Sequence, residues 1–146
     1  MQDKFSAEIE LVNKVRCKLV TDSWSIIQLV CSGGQAHFSI SYKKNGKIKN
    51  VFPDLLAHND KNIIIGEIKE NFDNGDYLKL LDLQDADEAL KKLSKVMLMR
   101  TGKTFTRKDY LFVLINSEPF PSPVPLISQY VYNCDNDSFC LIHPAI

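Results

Sequence analysis

Residues 63–69, Ile63-Ile64-Ile65-Gly66-Glu67-Ile68-Lys69, decide the fold, because their β-branched density is typical of a buried central strand. Residues two positions apart on a strand share a face, so Glu67 and Lys69 project to one side of the sheet and the residues between them to the other. An acid and a base are therefore expected side by side on an otherwise apolar strand.

A second carboxylate lies just before this strand. Residues 51–57 (VFPDLLA) predict an extended segment, and the turn signal Asn59-Asp60-Lys61-Asn62 predicts a reversal that brings Asp54 opposite Glu67. Two carboxylates on neighbouring strands, with the backbone carbonyl of Ile68 as a third oxygen, suit a hard divalent cation. We therefore expect a Mg²⁺ or Mn²⁺ site, with the Lys69 ammonium acting on a metal-bound water.

The rest of the chain supplies helices and further strands. Periodicity predicts a first helix over 5–20 and a second within 85–100, and strands over 25–31 and 109–116. Residues 36–44 alternate up to Asn45-Gly46, which predicts a hairpin with a type I′ turn. This order predicts an α/β (α+β) fold in which a mixed sheet is flanked by helices.

Glu8 is the unusual residue of the first helix. At 100° per residue it falls within the apolar arc, between Val12 and Val15, whereas Glu10 points to the opposite side. A carboxylate on the inward face of a helix requires a reason, and proximity to the metal site would be one.

Composition bounds the class of protein. The 146 residues, 45% apolar and 25% charged, predict a single domain over 1–146, with a core of about 5–118 and a C-terminal extension over 119–146 that could add a strand or a dimer contact. No apolar run is long enough to span a bilayer and the N-terminus is polar, so we expect a cytoplasmic protein that is not secreted and has no membrane partner.

Charge and cysteines exclude other classes. Eighteen basic and eighteen acidic residues cancel, which argues against a protein that coats nucleic acid through bulk positive charge. Basic residues nevertheless cluster locally, at Lys43, Lys44, Lys47 and Lys49 and at Lys103, Arg107 and Lys108. The four cysteines form no C-x-x-C pair, so structural zinc is not expected.

The order Pro53-Asp54, then Glu67-Ile68-Lys69, resembles the PD-(D/E)xK nuclease superfamily, and Ser6-Ala7-Glu8 and Ser32-Gly33-Gly34 extend the likeness to archaeal Holliday-junction resolvases and type II restriction endonucleases. The resemblance implies a restriction-endonuclease-like αβββαβ core and a metal-dependent endonuclease that cleaves DNA. It adds Glu8 as a metal ligand and Ser32 as a catalytic residue. A homodimer is expected, because two strand cuts need two sites.

Other interpretations remain open at this point. Asp54 and Ser32 could be turn residues, Glu67 and Lys69 a solvent-facing ion pair, and Glu8 a boundary residue. The fold could serve a catalytically inactive binding or assembly module, or an RNA-cleaving endonuclease of the same superfamily.

Overall fold

A computed structural model describes residues 4–31, 38–118, 127–133 and 135–143. The helices are α1 (Lys4–Thr21), α2 (Asn74–Asp85) and α3 (Asp87–Thr101). The strands are β1 (Ser25–Leu29), β2 (Ile40–Lys44), β3 (Lys47–Val51), β4 (Leu55–His58), β5 (Ile63–Ile68), β6 (Tyr110–Asn116), β7 (Ser128–Asn133) and β8 (Ser138–His143).

Six strands form one mixed sheet in the order β1-β4-β5-β6-β7-β8. β4 pairs antiparallel with β1 and β5, β6 pairs parallel with β5 and β7, and β8 closes the far edge antiparallel to β7. The chain order α1, β1, β4, β5, helices, β6 is the αβββαβ core. The prediction of a mixed sheet flanked by helices is confirmed.

The sheet separates two apolar cores. On one face, α1 packs Leu11, Val12, Val15 and Leu19 against residues that include Ile68. On the other face, α2 and α3 pack against Ile63 and Ile65. Glu67, two positions after Ile65, shares the face that α2 covers.

β5 runs close to its parallel neighbour at Gly66. A Cβ on Gly66 would lie 2.7 Å from Val113 Cγ2 and 3.2 Å from the Val113 carbonyl oxygen, which is closer than a side-chain carbon tolerates. Glycine thus allows β5 and β6 to pair tightly immediately before Glu67.

The predicted hairpin forms, but the prediction of the strand that follows it is wrong in one respect. Asn45 and Gly46 have φ of 54° and 78°, as a type I′ turn requires, and join β2 to β3 in a separate two-stranded sheet. The expected continuous segment over 51–57 is broken after Val51, and β4 begins at Leu55 in the main sheet. Pro53 explains the break, because it has no N–H to donate to a ladder.

Residues 74–101 form two helices where one was predicted within 85–100. Asp73 caps α2, accepting a hydrogen bond from the Asp76 amide at 3.1 Å. Ala86, with φ −91° and ψ 81°, then separates α2 from α3. The later part of the predicted extension contributes β7 and β8, whereas the proline-rich segment at 119–126 lies outside the described residues. No helix among the described residues is long and apolar enough to cross a membrane.

Candidate active site

Asp54 and Glu67 are held together by two reciprocal hydrogen bonds. The Asp54 amide donates to Glu67 Oε2 at 3.0 Å, and the Ile68 amide donates to Asp54 Oδ2 at 3.0 Å. The turn over 59–62 makes this possible, since the Asn59 side chain accepts from the amides of Lys61 and Asn62 and closes the β4–β5 hairpin. Each carboxylate is therefore anchored on the backbone of the other strand.

Glu67 is buried in spite of its charge. It is 1% exposed, where a solvent-facing ion pair would be mostly exposed. Burial raises the pKa of Glu67 to about 8, the neighbouring Asp54 carboxyl adds to the rise, and the Lys79 ammonium opposes it. A buried carboxyl with a pKa this far from its usual value is a candidate functional group.

Lys69 shares a face with Glu67, but its partners are the N-cap residue of α2 and a residue of the first turn of that helix. Its Nζ lies 3.0 Å from Asp73 Oδ2 and 3.6 Å from Asp76 Oδ2. Burial works to lower the pKa of Lys69, but the hydrogen bonds and negative charges of Asp73 and Asp76 outweigh it and raise the pKa. The ammonium is therefore charged, and Asp73 and Asp76 hold it at the start of α2.

Two residues of α2 join the site although the sequence interpretation omitted them. Lys79 contacts Glu67 Oε1 with its ammonium and donates to the Phe52 carbonyl at 3.0 Å. Burial raises the pKa of Asp76 to about 6, opposed by Lys69 and assisted by Asp73 and Asp54. A cap at Asp73 followed by Leu80 and Leu83 at helical spacing was the signal that could have located α2.

Glu8 is carried by α1, which packs on the face of the sheet opposite to that of Glu67. It is half-buried, whereas Glu10 is exposed, as the helical wheel predicted for their directions. Burial, then the negative charges of Glu8 and Asp54, raise the pKa of the Cys31 thiol, so both carboxylates lie near that sulfur. Ser32 lies outside the described residues, and its role stays a prediction.

The side-chain amides of Asn116 and Gln129 form a buried hydrogen-bonded relay that supports the backbone at Lys69, just after the end of β5. Asn116 donates from its side chain to the Lys69 carbonyl at 3.0 Å, and Gln129 donates to Asn116 Oδ1 at 3.0 Å. Both amide residues are buried, at 2% and 0% exposed. β6 and β7 thereby fix the backbone at the end of β5.

The predicted basic clusters are partly neutralised by ion pairs. Lys44 and Lys49 both pair with Asp82 of α2, and Lys103 pairs with Asp60. These contacts reduce the positive charge that remains to attract phosphates.

The donor chemistry of the site fits a hard cation. Asp54, Glu67 and the Ile68 carbonyl are oxygen donors; in a strand the N–H and C=O of one residue face the same neighbour, so the Ile68 carbonyl is directed toward Asp54. Within the described ranges, no group of three or more His, Cys, Asp and Glu side chains is placed to hold a metal ion. A cation here would complete its coordination with backbone oxygen and water, as Mg²⁺ commonly does.

Comparisons with known proteins give two distant structural likenesses. No family model matches the chain, and no curated protein matches it in sequence. An XisH family protein from Nostoc punctiforme has a TM-score of 0.40 and 12% identity, over 89% of this chain and 95% of that one. A fdxN element excision controlling factor protein from Anabaena variabilis has a TM-score of 0.39 and 13% identity, over 91% and 95%. Neither likeness assigns a reaction or a residue role to this chain.

Proposed function

We propose that this chain is a Mg²⁺- or Mn²⁺-dependent endonuclease that hydrolyses phosphodiester bonds of DNA. The observation that carries the proposal is the reciprocal bonding of Asp54 and Glu67. It places the two carboxylates together at a point where burial disfavours the charge of Glu67, an arrangement that a divalent cation would stabilise. An ordinary surface ion pair does not need this construction.

The residues divide into metal ligands and a group that acts on water and phosphate. Asp54, Glu67 and the Ile68 carbonyl would hold the cation, with Glu8 contributing from α1. A divalent cation bound there would make a water easier to deprotonate and offset the charge that develops on the phosphate. Lys69 has no lone pair while protonated, so it orients that water and stabilises the phosphate oxygens. Ser32 is retained as a proposed catalytic residue.

Asp73 and Asp76 fit this division of labour, because they keep Lys69 charged and in position. The contacts of Lys69 with α2 also restrict its side chain before any substrate binds. An ammonium that is already oriented loses less conformational freedom in the reaction.

DNA is the proposed partner on the basis of the superfamily resemblance, and both a junction-resolving and a restriction-type specificity fit it. Lys43 and Lys47 remain exposed on the β2–β3 hairpin, which leads through residues 52 and 53 directly to Asp54. We propose that these exposed lysines contact phosphates of the bound DNA. An RNA substrate is the alternative within the same chemistry.

A catalytically inactive binding module is the second candidate. The position of Lys69 favours it, because among the described residues its ion pairs are with Asp73 and Asp76 rather than with Asp54 or Glu67. In that case Asp54 and Glu67 would be the remnant of an active site that no longer cleaves a substrate.

One experiment separates these functions. The purified protein is incubated with plasmid, single-stranded, branched and RNA substrates, each with and without Mg²⁺ or Mn²⁺, beside the Glu67→Gln variant. Metal-dependent cleavage that Glu67→Gln loses supports the proposed endonuclease, and the preferred substrate identifies its class. Binding of nucleic acid without cleavage in any metal supports the inactive module.

A further inference from the structure

Lys79 occupies the side of Glu67 that Asp54 leaves open. The Asp54 amide takes Oε2, and the Lys79 ammonium contacts Oε1. The same ammonium donates to the Phe52 carbonyl at 3.0 Å, so one cation bridges Glu67 and the segment that leads into Asp54. A metal ion that binds Glu67 through Oε1 would have to take the place of this ammonium.

Burial strengthens the interaction between the Lys79 ammonium and Glu67. The Glu67 side chain is 1% exposed and that of Lys79 is 29% exposed, so water screens the contact poorly. A carboxylate oxygen that already contacts an ammonium is a poor ligand for a divalent cation, because the two positive charges repel each other at short range.

We propose that Lys79 is a built-in counter-ion that occupies the cation position of Glu67, and that a divalent metal ion must displace it in order to bind. This inference rests on the proposed function, because it takes Asp54 and Glu67 as the metal site. The displaced ammonium moves out toward solvent on its flexible stem, leaving Glu67 Oε1 to the metal.

Another ion pair between α2 and a lysine provides a matched comparison. Lys44 pairs with Asp82 at 2.6 Å and likewise connects α2 to another element. Asp82 pairs with Lys44 and Lys49 of the β2–β3 hairpin rather than with a lysine at Asp54 or Glu67. A purely structural role for ion pairs of α2 predicts similar behaviour for both lysines.

The test measures Mg²⁺ and Mn²⁺ binding by calorimetry, and the metal-induced rise in melting temperature, for the unmodified protein, Lys79→Met, Lys79→Arg and Lys44→Met. The measurements are made at a pH high enough to keep Glu67 ionised in every variant. Lys79→Met should bind the metal about tenfold more tightly, as expected when a like charge is removed from a site. It should also show a larger metal-induced rise in melting temperature. Lys79→Arg, which keeps the charge, and Lys44→Met should show neither gain. If Lys79→Met does not fold, Lys79→Gln replaces it.

The outcomes separate this inference from the proposed activity. If Lys79→Met binds metal and the unmodified protein does not, the counter-ion role holds and the endonuclease proposal fails. If both bind equally, or if Lys44→Met gains as much, the counter-ion role is overturned while metal-dependent cleavage stands. Absence of binding in every variant overturns both.

Discussion

The backbone amide of Asp54 donates to the carboxylate of Glu67 at 3.0 Å, although the two residues belong to different segments of the sheet. A backbone N–H group thus holds the buried carboxylate of Glu67. The position of that N–H group does not depend on the protonation state of the neighbouring side chains. The titration of Glu67 should therefore change the stability of the fold without rearranging it.

Stability should fall as the pH rises toward 8. Burial and Asp54 raise the pKa of Glu67 from 4.5 to about 8, and burial raises that of Asp76 from 3.8 to about 6. Between the pKa of the unfolded state and the higher pKa of the folded state, such an acid binds more protons in the folded protein than in the unfolded one. The free energy of unfolding therefore decreases as the pH rises through that range. Lys79 opposes the effect at Glu67 and Lys69 opposes it at Asp76.

Urea unfolding at a series of pH values measures this slope. Glu67→Gln keeps an acceptor for the Asp54 amide and removes the charge, so its slope between about pH 5 and 8 should be clearly smaller. An identical slope in both proteins would show that Glu67 titrates normally.

Lys69→Ala and Asp54→Ala should fail in different ways. Lys69→Ala should lower turnover by at least about 100-fold with little change in metal affinity, because a protonated lysine is not a ligand. Asp54→Ala should weaken metal binding as well, since it removes a ligand oxygen. Mn²⁺ calorimetry beside a cleavage assay distinguishes them, with the exposed Lys91→Ala as control. Normal cleavage by Lys69→Ala would contradict the proposed mechanism.

Asn116→Ala should destabilise the fold and impair the site together. It leaves the Lys69 carbonyl and the Gln129 amide without their partner, which costs about 2 kcal/mol for buried polar groups. Asn50→Ala, which removes an exposed hairpin amide that contacts Ser41, should cost less than about 0.5 kcal/mol. Urea unfolding of both variants checks the difference, and equal losses would argue against the relay.

A homodimer is expected to use the apolar surface beside β8. Leu111 and Leu141 are 40% and 49% exposed and line the same cavity of about 450 Å³ next to α1. Leu141→Asp should convert the dimer to a monomer, whereas Leu98→Asp, on the equally exposed surface of α3, should leave it intact. Light scattering at micromolar concentration measures both masses, and a monomeric unmodified protein would refute the prediction.

Local sequence signals predicted the parts of the fold whose causes are local. The β-branched run over 63–68 and the Asn45-Gly46 turn have conformational preferences of their own, and both appear where expected. α2 was missed because Gly75 and several polar residues weaken its pattern. Ile9 and Val20 are exposed, although both are apolar residues within the predicted first helix.

In the candidate site too, the contacts with local causes were predicted and those that depend on tertiary packing were not. Strand alternation predicted that Glu67 and Lys69 share a face, and the turn at 59–62 predicted that Asp54 would approach Glu67. The positions of Lys79 and Asp76 depend on how α2 packs back over β5, and the role of Asn116 depends on the parallel pairing of β5 with β6. Such contacts arise from tertiary structure and have no local signature.

The short turn between β4 and β5 also has a kinetic consequence. Asp54 and Glu67 meet by closing a small loop, whereas β6, which pairs with β5 beside Glu67, joins only after a much longer closure, which forms more slowly. Asp54 and Glu67 therefore come together while their carboxylates are still hydrated. The free-energy cost of removing that water arises only after the transition state for folding. Glu67→Gln should accordingly slow unfolding and leave the refolding rate nearly unchanged, which stopped-flow chevron measurements would reveal; a faster refolding rate would place the burial of Glu67 before the barrier.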